Sequence, residues 1–176
     1  MKLSEILNLT DEQKEEGVWF SGIEGEGEYK EWYGNGNLYE HSNWKNRKRH
    51  GEYKSWHYDG TLEEHSFWEN DKRHGECKWW HENGTLREHS FYKNGERHGE
   101  YKEWWNNRTL YIYSNWKNGK LHGEYKRWSN NGTLIEHSFW KNSKPHREFK
   151  KWDRDGILMK HFIYKNGELV QEILYV

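Results

Sequence analysis

Cysteine and proline each occur once in this chain, methionine twice, and hydrophobic residues of all kinds make up only 32% of the 176 positions. The single cysteine, Cys77, excludes an internal disulfide and fits a reducing compartment. No apolar stretch is long enough to span a membrane. The opening segment, MKLSEILNLTDEQ, has acidic residues inside its apolar part and does not read as a signal peptide. Charge of one sign is also missing. The formal net charge is −1, so no global field draws the chain to nucleic acid or to a membrane. These absences point to a cytoplasmic protein that is neither secreted nor membrane-spanning.

What is abundant is aromatic. Rings make up 18% of the residues, with 13 tryptophans, although the mean hydropathy is −1.43. A two-layer globule wants nearly half its residues apolar, and a disordered chain is poor in rings. The composition therefore suits a thin structure in which large amphipathic rings cover backbone.

Self-comparison gives six gapless repeats of 24 residues: 27–50, 51–74, 75–98, 99–122, 123–146 and 147–170. In every repeat the second place is Glu (Glu28 to Glu148), the fourth Lys (Lys30 to Lys150) and the twelfth Leu (Leu38 to Leu158). The sixth is always tryptophan: Trp32, Trp56, Trp80, Trp104, Trp128 and Trp152. Each repeat also carries two turn signals, such as Asn35-Gly36 and Asn94-Gly95, whose residues accept positive φ cheaply. Arg108 replaces the glycine of one turn and should strain it. Two turns per 24 residues mean two short strands, rich in Tyr, Trp, Phe and Thr. The expected fold is all-β, an elongated single-layer antiparallel β-hairpin solenoid of six repeats.

With loops centred on the ninth and twenty-first places, lysine at four faces glutamate at fourteen on both neighbouring strands, as Lys54 between Glu40 and Glu64. Tryptophan at six then faces leucine at twelve, and tyrosine at three faces histidine at fifteen. One face carries Trp at six, Leu at twelve and Trp or Tyr at eighteen. The other carries Tyr, His and Phe or Asn, with the leading glycine opposite the seventeenth residue. Cys77 stands where other repeats have tyrosine, as a small apolar replacement.

The ends differ from the middle. Residues 17–26 read as a degenerate half-repeat. Thr10 and Gln13 fit a capping box, so a short helix is expected in an N-terminal cap over 1–16. Residues 171–176 are expected to form a capping strand, and an apolar last strand on an open edge invites a homodimer contact through Phe162, Val170, Ile173, Leu174 and Val176.

The phrase HGEYKxWxxNGxL, followed by W/YKNGKxH, resembles MORN repeats over residues 17–170. It is most similar to a variant found in bacterial antitoxin-like proteins and in proteins of some large DNA viruses; a viral source would place it in host-cell cytoplasm. Here histidine and glutamate flank a single glycine, where the more familiar repeat has a Gly-x-Gly pattern. The resemblance implies an elongated, curved antiparallel sheet and a non-enzymatic binding or scaffolding role.

The residues themselves offer little catalytic chemistry. The fifteenth-place histidines (His41, His65, His89, His137 and His161) recur every second strand, about 9–10 Å apart. A single zinc ion, with bonds of ~2.1 Å, cannot bridge that spacing. A second column (His50, His74, His98, His122 and His146) is expected opposite the eighteenth-place rings. His65-Ser66 and its equivalents are neighbours on a strand and point to opposite faces, so they cannot form a nucleophile–base pair. No catalytic residue, metal site or cofactor is expected, and the chain does not read as an enzyme.

Partner binding is expected on the tryptophan face, since Trp and Tyr dominate binding hot spots. The candidates there are the six sixth-place tryptophans and five residues that vary between repeats: Trp79, Trp105, Tyr33, His57 and His81. A basic edge runs along the second turns, through Lys45, Lys48, Arg49, Lys72, Arg73, Arg97, Lys120 and Lys144. The leading expectation is a scaffold for a protein or peptide. An antitoxin or immunity-type toxin binder is one alternative, and attachment to anionic lipid through the basic edge is another. Nucleic acid is not expected, because the rings and the net positive charge do not share a surface.

Overall fold

A computed structural model describes residues 18–23 and 25–174. The expected N-terminal helix, and Val176, lie outside the described residues. The chain divides into two compact units, at Thr85/Leu86. In the first, β1 (Val18–Ile23), β2 (Glu26–Trp32), β3 (Leu38–Lys45), β4 (Lys48–Trp56), β5 (Leu62–Glu69) and β6 (Lys72–Trp80) form an antiparallel meander in chain order. The second contains β7 (Leu86–Lys93), β8 (Glu96–Trp104), β9 (Leu110–Lys117) and β10 (Lys120–Trp128). It continues through β11 (Leu134–Lys141), β12 (Lys144–Trp152), β13 (Leu158–Lys165) and β14 (Glu168–Glu172). The all-β hairpin array with its 24-residue period is borne out.

The two turns of each repeat differ in kind. At the first, the seventh residue pairs with the eleventh, as in Tyr33 N–H to Asn37 O (2.8 Å), and the tenth donates back, Gly36 N–H to Tyr33 O (2.9 Å). This three-residue loop needs a left-handed tenth residue, which explains the glycine there. Arg108 meets the same demand at φ 68° without one, as its sequence position implied. The ninth-place side chain closes the loop, as Asn35 and Asp59 accept the N–H of Asn37 and Thr61. At the second turn both central residues have positive φ, as at Asn46 (52°) and Arg47 (61°), or Asn118 (49°) and Gly119 (70°). That is a type I′ turn, whose twist suits a two-residue hairpin.

Between the turns the register departs from expectation. Trp56 does face Leu62, but the next pairs are Ser55–Glu64, Lys54–His65 and Tyr53–Ser66. On the other side Glu40 faces Ser55, His41 faces Lys54 and Ser42 faces Tyr53. Lysine at four therefore lies between two histidines rather than two glutamates, and tyrosine faces serine rather than histidine. The cause is a bulge on each side. An extra residue at the thirteenth place (Glu63) shifts the register after the first turn, and extra residues around the leading glycine shift it near the second. Gly51 has φ +101°, and a Cβ there would lie 3.4 Å from that of Asn43, the seventeenth-place residue. Arg147 holds the same left-handed conformation at φ 68°.

The face assignment changes with the register. Paired residues share a face, so Tyr at three, the fifth residue, Glu at fourteen, Ser at sixteen and Trp at eighteen lie together. The opposite face carries Glu at two, Lys at four, Trp at six, His at fifteen and Phe or Asn at seventeen. The two tryptophan rows are thus on opposite faces. Among the described residues only Cys77 and Tyr101 are buried hydrophobics. The most enclosed side chains are instead Cys77 and the serines at sixteen (Ser42, Ser66, Ser90, Ser114 and Ser138).

Candidate functional site

The serine face is a row of closed polar cells. Trp68 Nε1 donates to Ser66 Oγ at 2.9 Å, and Trp44, Trp116 and Trp140 do the same to Ser42, Ser114 and Ser138. Ser42 and Ser90 hydroxyls donate onward to Glu40 and Glu88 at 2.8 Å. Arg73 donates to Glu64 Oε1 through Nε (3.2 Å) and Nη2 (2.9 Å), and lies over the rings of Trp68 and Trp79. Arg49 and Arg97 take the same place beside Glu40 and Glu88. Glu64 is only 3% exposed. Its burial raises its carboxyl above the ordinary value, while the Arg73 guanidinium opposes the rise. Burial, reinforced by Glu136, pushes the Tyr125 phenol up to about 12.

The opposite face repeats a different motif. Lys54 Nζ and His65 Nε2 both lie 2.8 Å from Glu52 Oε1, and Lys126 and His137 share Glu124 at 2.8 and 2.9 Å. The lysine hydrogen bond holds the carboxyls of Glu52, Glu100, Glu124 and Glu148 below their ordinary value. His65, His89 and His137 tilt against Phe67, Phe91 and Phe139 at about 5 Å. Ser66 faces Cys77 while its neighbour His65 faces Lys78, so hydroxyl and imidazole are on opposite sides of the sheet. The second histidine column is not opposite the rings, because Trp44 faces Arg49 and Trp68 faces Arg73. His98 and His122 instead meet Asn118 and Asn142 of the next hairpin, at 3.2 and 3.3 Å. Among the described residues no group of three or more His, Cys, Asp or Glu is placed to hold a metal ion.

The variable candidates separate into distinct places. Tyr33 Oη donates to the carbonyl of Trp56 (2.8 Å), and His57 Nε2 lies 3.4 Å from that of Trp80. Both brace one first turn against the next. Trp105 packs against Tyr111 with the rings tilted at 47° and their centroids 4.2 Å apart. Trp79 lies on the serine face opposite Glu64, away from its neighbour Trp80. His81 closes its turn through its own backbone. Trp32, Trp56, Trp104, Trp128 and Trp152 face Leu38, Leu62, Leu110, Leu134 and Leu158. All six sixth-place tryptophans are half-buried. Along the edge, Lys45, Lys48, Lys72, Lys120 and Lys144 are exposed, whereas Arg49, Arg73 and Arg97 turn in over the serine face. Sequence reasoning missed those arginines as cell members, since only the true register brings the twenty-third place beside the fourteenth.

Near the C-terminal edge, Val170 and Leu174 are 57% and 78% exposed. Phe162 packs among Phe149 and Tyr164, and Ile173 N–H donates to His161 O. No helix among the described residues is long and apolar enough to cross a membrane.

A family model, described as a MORN repeat variant, matches residues 25–46, 49–70, 73–94 and 121–142, together half of the chain. The chain belongs to the MORN repeat variant family. The matched segments fall on the four repeats with glutamate at fourteen (Glu40, Glu64, Glu88 and Glu136); the other two carry Ile112 and Lys160 there. No curated protein sequence matches the chain.

Proposed function

We propose that this MORN repeat protein is a non-enzymatic cytoplasmic scaffold that binds a protein or peptide through the sixth-place tryptophan face. The observation that carries this reading is the half-burial of every tryptophan in that row. The eighteenth-place indoles anchor to serine within the polar cells. Trp32, Trp56, Trp104, Trp128 and Trp152 stand opposite leucines in the sheet register, and their half-buried rings present amphipathic surface suited to a shallow contact. Affinity capture with quantitative mass spectrometry tests it. A partner enriched by the wild-type chain should be lost with Trp56→Ala/Trp128→Ala and kept with an exposed turn control, Arg154→Ser. Equal enrichment by both variants would overturn the reading. If the captured partner is a toxin, the protein acts as an antitoxin.

A homodimer through the C-terminal edge is a second reading, favoured by the exposure of Val170 and Leu174 beside a strand paired with β13. Light scattering at high micromolar concentration should give twice the chain mass, and Val170→Lys should return it to the monomer mass. A monomeric wild type would contradict this.

A further inference from the structure

Each type I′ hairpin sets its nineteenth residue directly opposite its twenty-second. In three hairpins these pairs are opposite in charge: Glu69–Lys72, Lys93–Glu96 and Lys165–Glu168. In the other three they are two lysines: Lys45–Lys48, Lys117–Lys120 and Lys141–Lys144. Like charges directly across a ladder oppose pairing, so these hairpins retain an arrangement that the fold alone does not favour. Two of them are consecutive within the second compact unit, and hairpins with a glutamate in the pair stand on either side.

Equivalent residues of successive hairpins are two strands apart, roughly 9–10 Å. Lys117, Lys120, Lys141 and Lys144 therefore concentrate four ammonium groups on one stretch of edge. All four are exposed. Among the described residues none of them forms an ion pair, whereas every fourth-place lysine has its own glutamate, at 2.8–3.2 Å. The stem of Lys144 lies over Gly167, 3.2 Å from where a Cβ would stand. The neighbouring hairpin already lays a carboxylate side chain along this edge: Glu96 reaches within 3.6 Å of the Cβ position of Gly119, between Lys117 and Lys120.

We propose that Lys117, Lys120, Lys141 and Lys144 form a docking site for an acidic segment of a partner protein. Its carboxylates would take the places opposite lysine that Glu69, Glu96 and Glu168 fill in the other hairpins. The chemistry favours carboxylates on a protein over other anions. None of the four positions is an arginine, whose fork suits phosphate, and no ring sits in these turns for a base to stack on. This inference rests on the partner-binding reading but uses a different surface.

The test is fluorescence anisotropy of a labelled deca-glutamate peptide against the full chain, with a deca-glutamine peptide as the neutral control. The glutamate peptide should bind, and binding should weaken from about 50 to about 200 mM salt. Lys117→Gln/Lys120→Gln/Lys141→Gln/Lys144→Gln should weaken it about tenfold or more and, by removing two like-charge pairs, raise the unfolding temperature. Control variants Lys102→Gln/Lys126→Gln and Trp128→Ala/Trp152→Ala should stay within about twofold, so a failed tryptophan-face reading leaves this result standing. No binding by the wild type, or unchanged affinity in the four-lysine variant, would overturn the proposal. So would stronger lysine-dependent binding to anionic vesicles or to single-stranded DNA.

Discussion

The cell around Glu64 and the equivalent cell in the fourth repeat solve one packing problem in two chemistries. In repeats one to three, glutamate at fourteen lies beside arginine at twenty-three: Glu40 and Arg49, Glu64 and Arg73, Glu88 and Arg97. In the fourth repeat the same two places hold Ile112 and Leu121. Both members change together, leaving neither a carboxylate without a cation nor a cation without a carboxylate. The fifth repeat finds a third solution. Pro145 removes its arginine, and Glu136 is instead flanked by Arg127 (3.6 Å) and Lys151 (3.8 Å) from the fifth place of the two adjacent strands. A sheet with one layer has no deep core to absorb a mismatch, so each glutamate at fourteen has a cation beside it.

That contrast can be broken from its ionic side. Arg73→Leu leaves the enclosed Glu64 carboxylate without its guanidinium and should cost about 2–4 kcal/mol, read as a lower midpoint in chemical denaturation. The serine that joins tryptophan to glutamate comes next. Ser66→Ala orphans the Trp68 N–H and should cost about 1–2 kcal/mol by the same measurement. Ser114→Ala, in the repeat with isoleucine at fourteen, should cost less, because its hydroxyl has no glutamate to serve. Arg108 is the other peculiarity of the fourth repeat. Arg108→Gly relieves a left-handed non-glycine residue and should stabilise by roughly 1 kcal/mol, raising the thermal midpoint.

The smallest effect is in pH dependence. Burial raises Glu64, so its contribution is fullest below the ordinary value of 4.5 and declines as pH rises through the elevated value. The stability of Glu64→Gln relative to wild type should therefore improve between about pH 4 and pH 7. Glu52 and Glu124 have the opposite sign. Their lowered carboxyls contribute above 4.5 and lose that contribution as pH falls through the lowered values. Replacing them with Gln should make stability less sensitive to acid below pH 4.5, as urea midpoints across pH would show.

The turns and the period were legible because they rest on local chemistry: positive φ at Asn-Gly pairs, and six copies of one tryptophan place. The pairing of Trp56 with Leu62 was equally readable, since it lies two residues from a turn. The strand centres were not, because two bulges intervene. One had a signal in the leading glycine: Gly51, inside a strand, marks a bulge. The other, at the thirteenth place, had none, since Tyr39, Glu63 and Met159 share no property that would bend a strand. A one-residue error there exchanged the partners of every lysine and glutamate. It also put both tryptophan rows on one face and hid the arginines from the cells they complete.

Glutamate at fourteen and arginine at twenty-three should act as a unit that an apolar pair can replace. A double-mutant cycle on Glu64→Ile and Arg73→Leu, followed by chemical denaturation, measures that coupling. The double variant should recover most of what Arg73→Leu loses, with a coupling of at least about 1 kcal/mol. Strictly additive losses, leaving the double variant less stable than either single one, would contradict it.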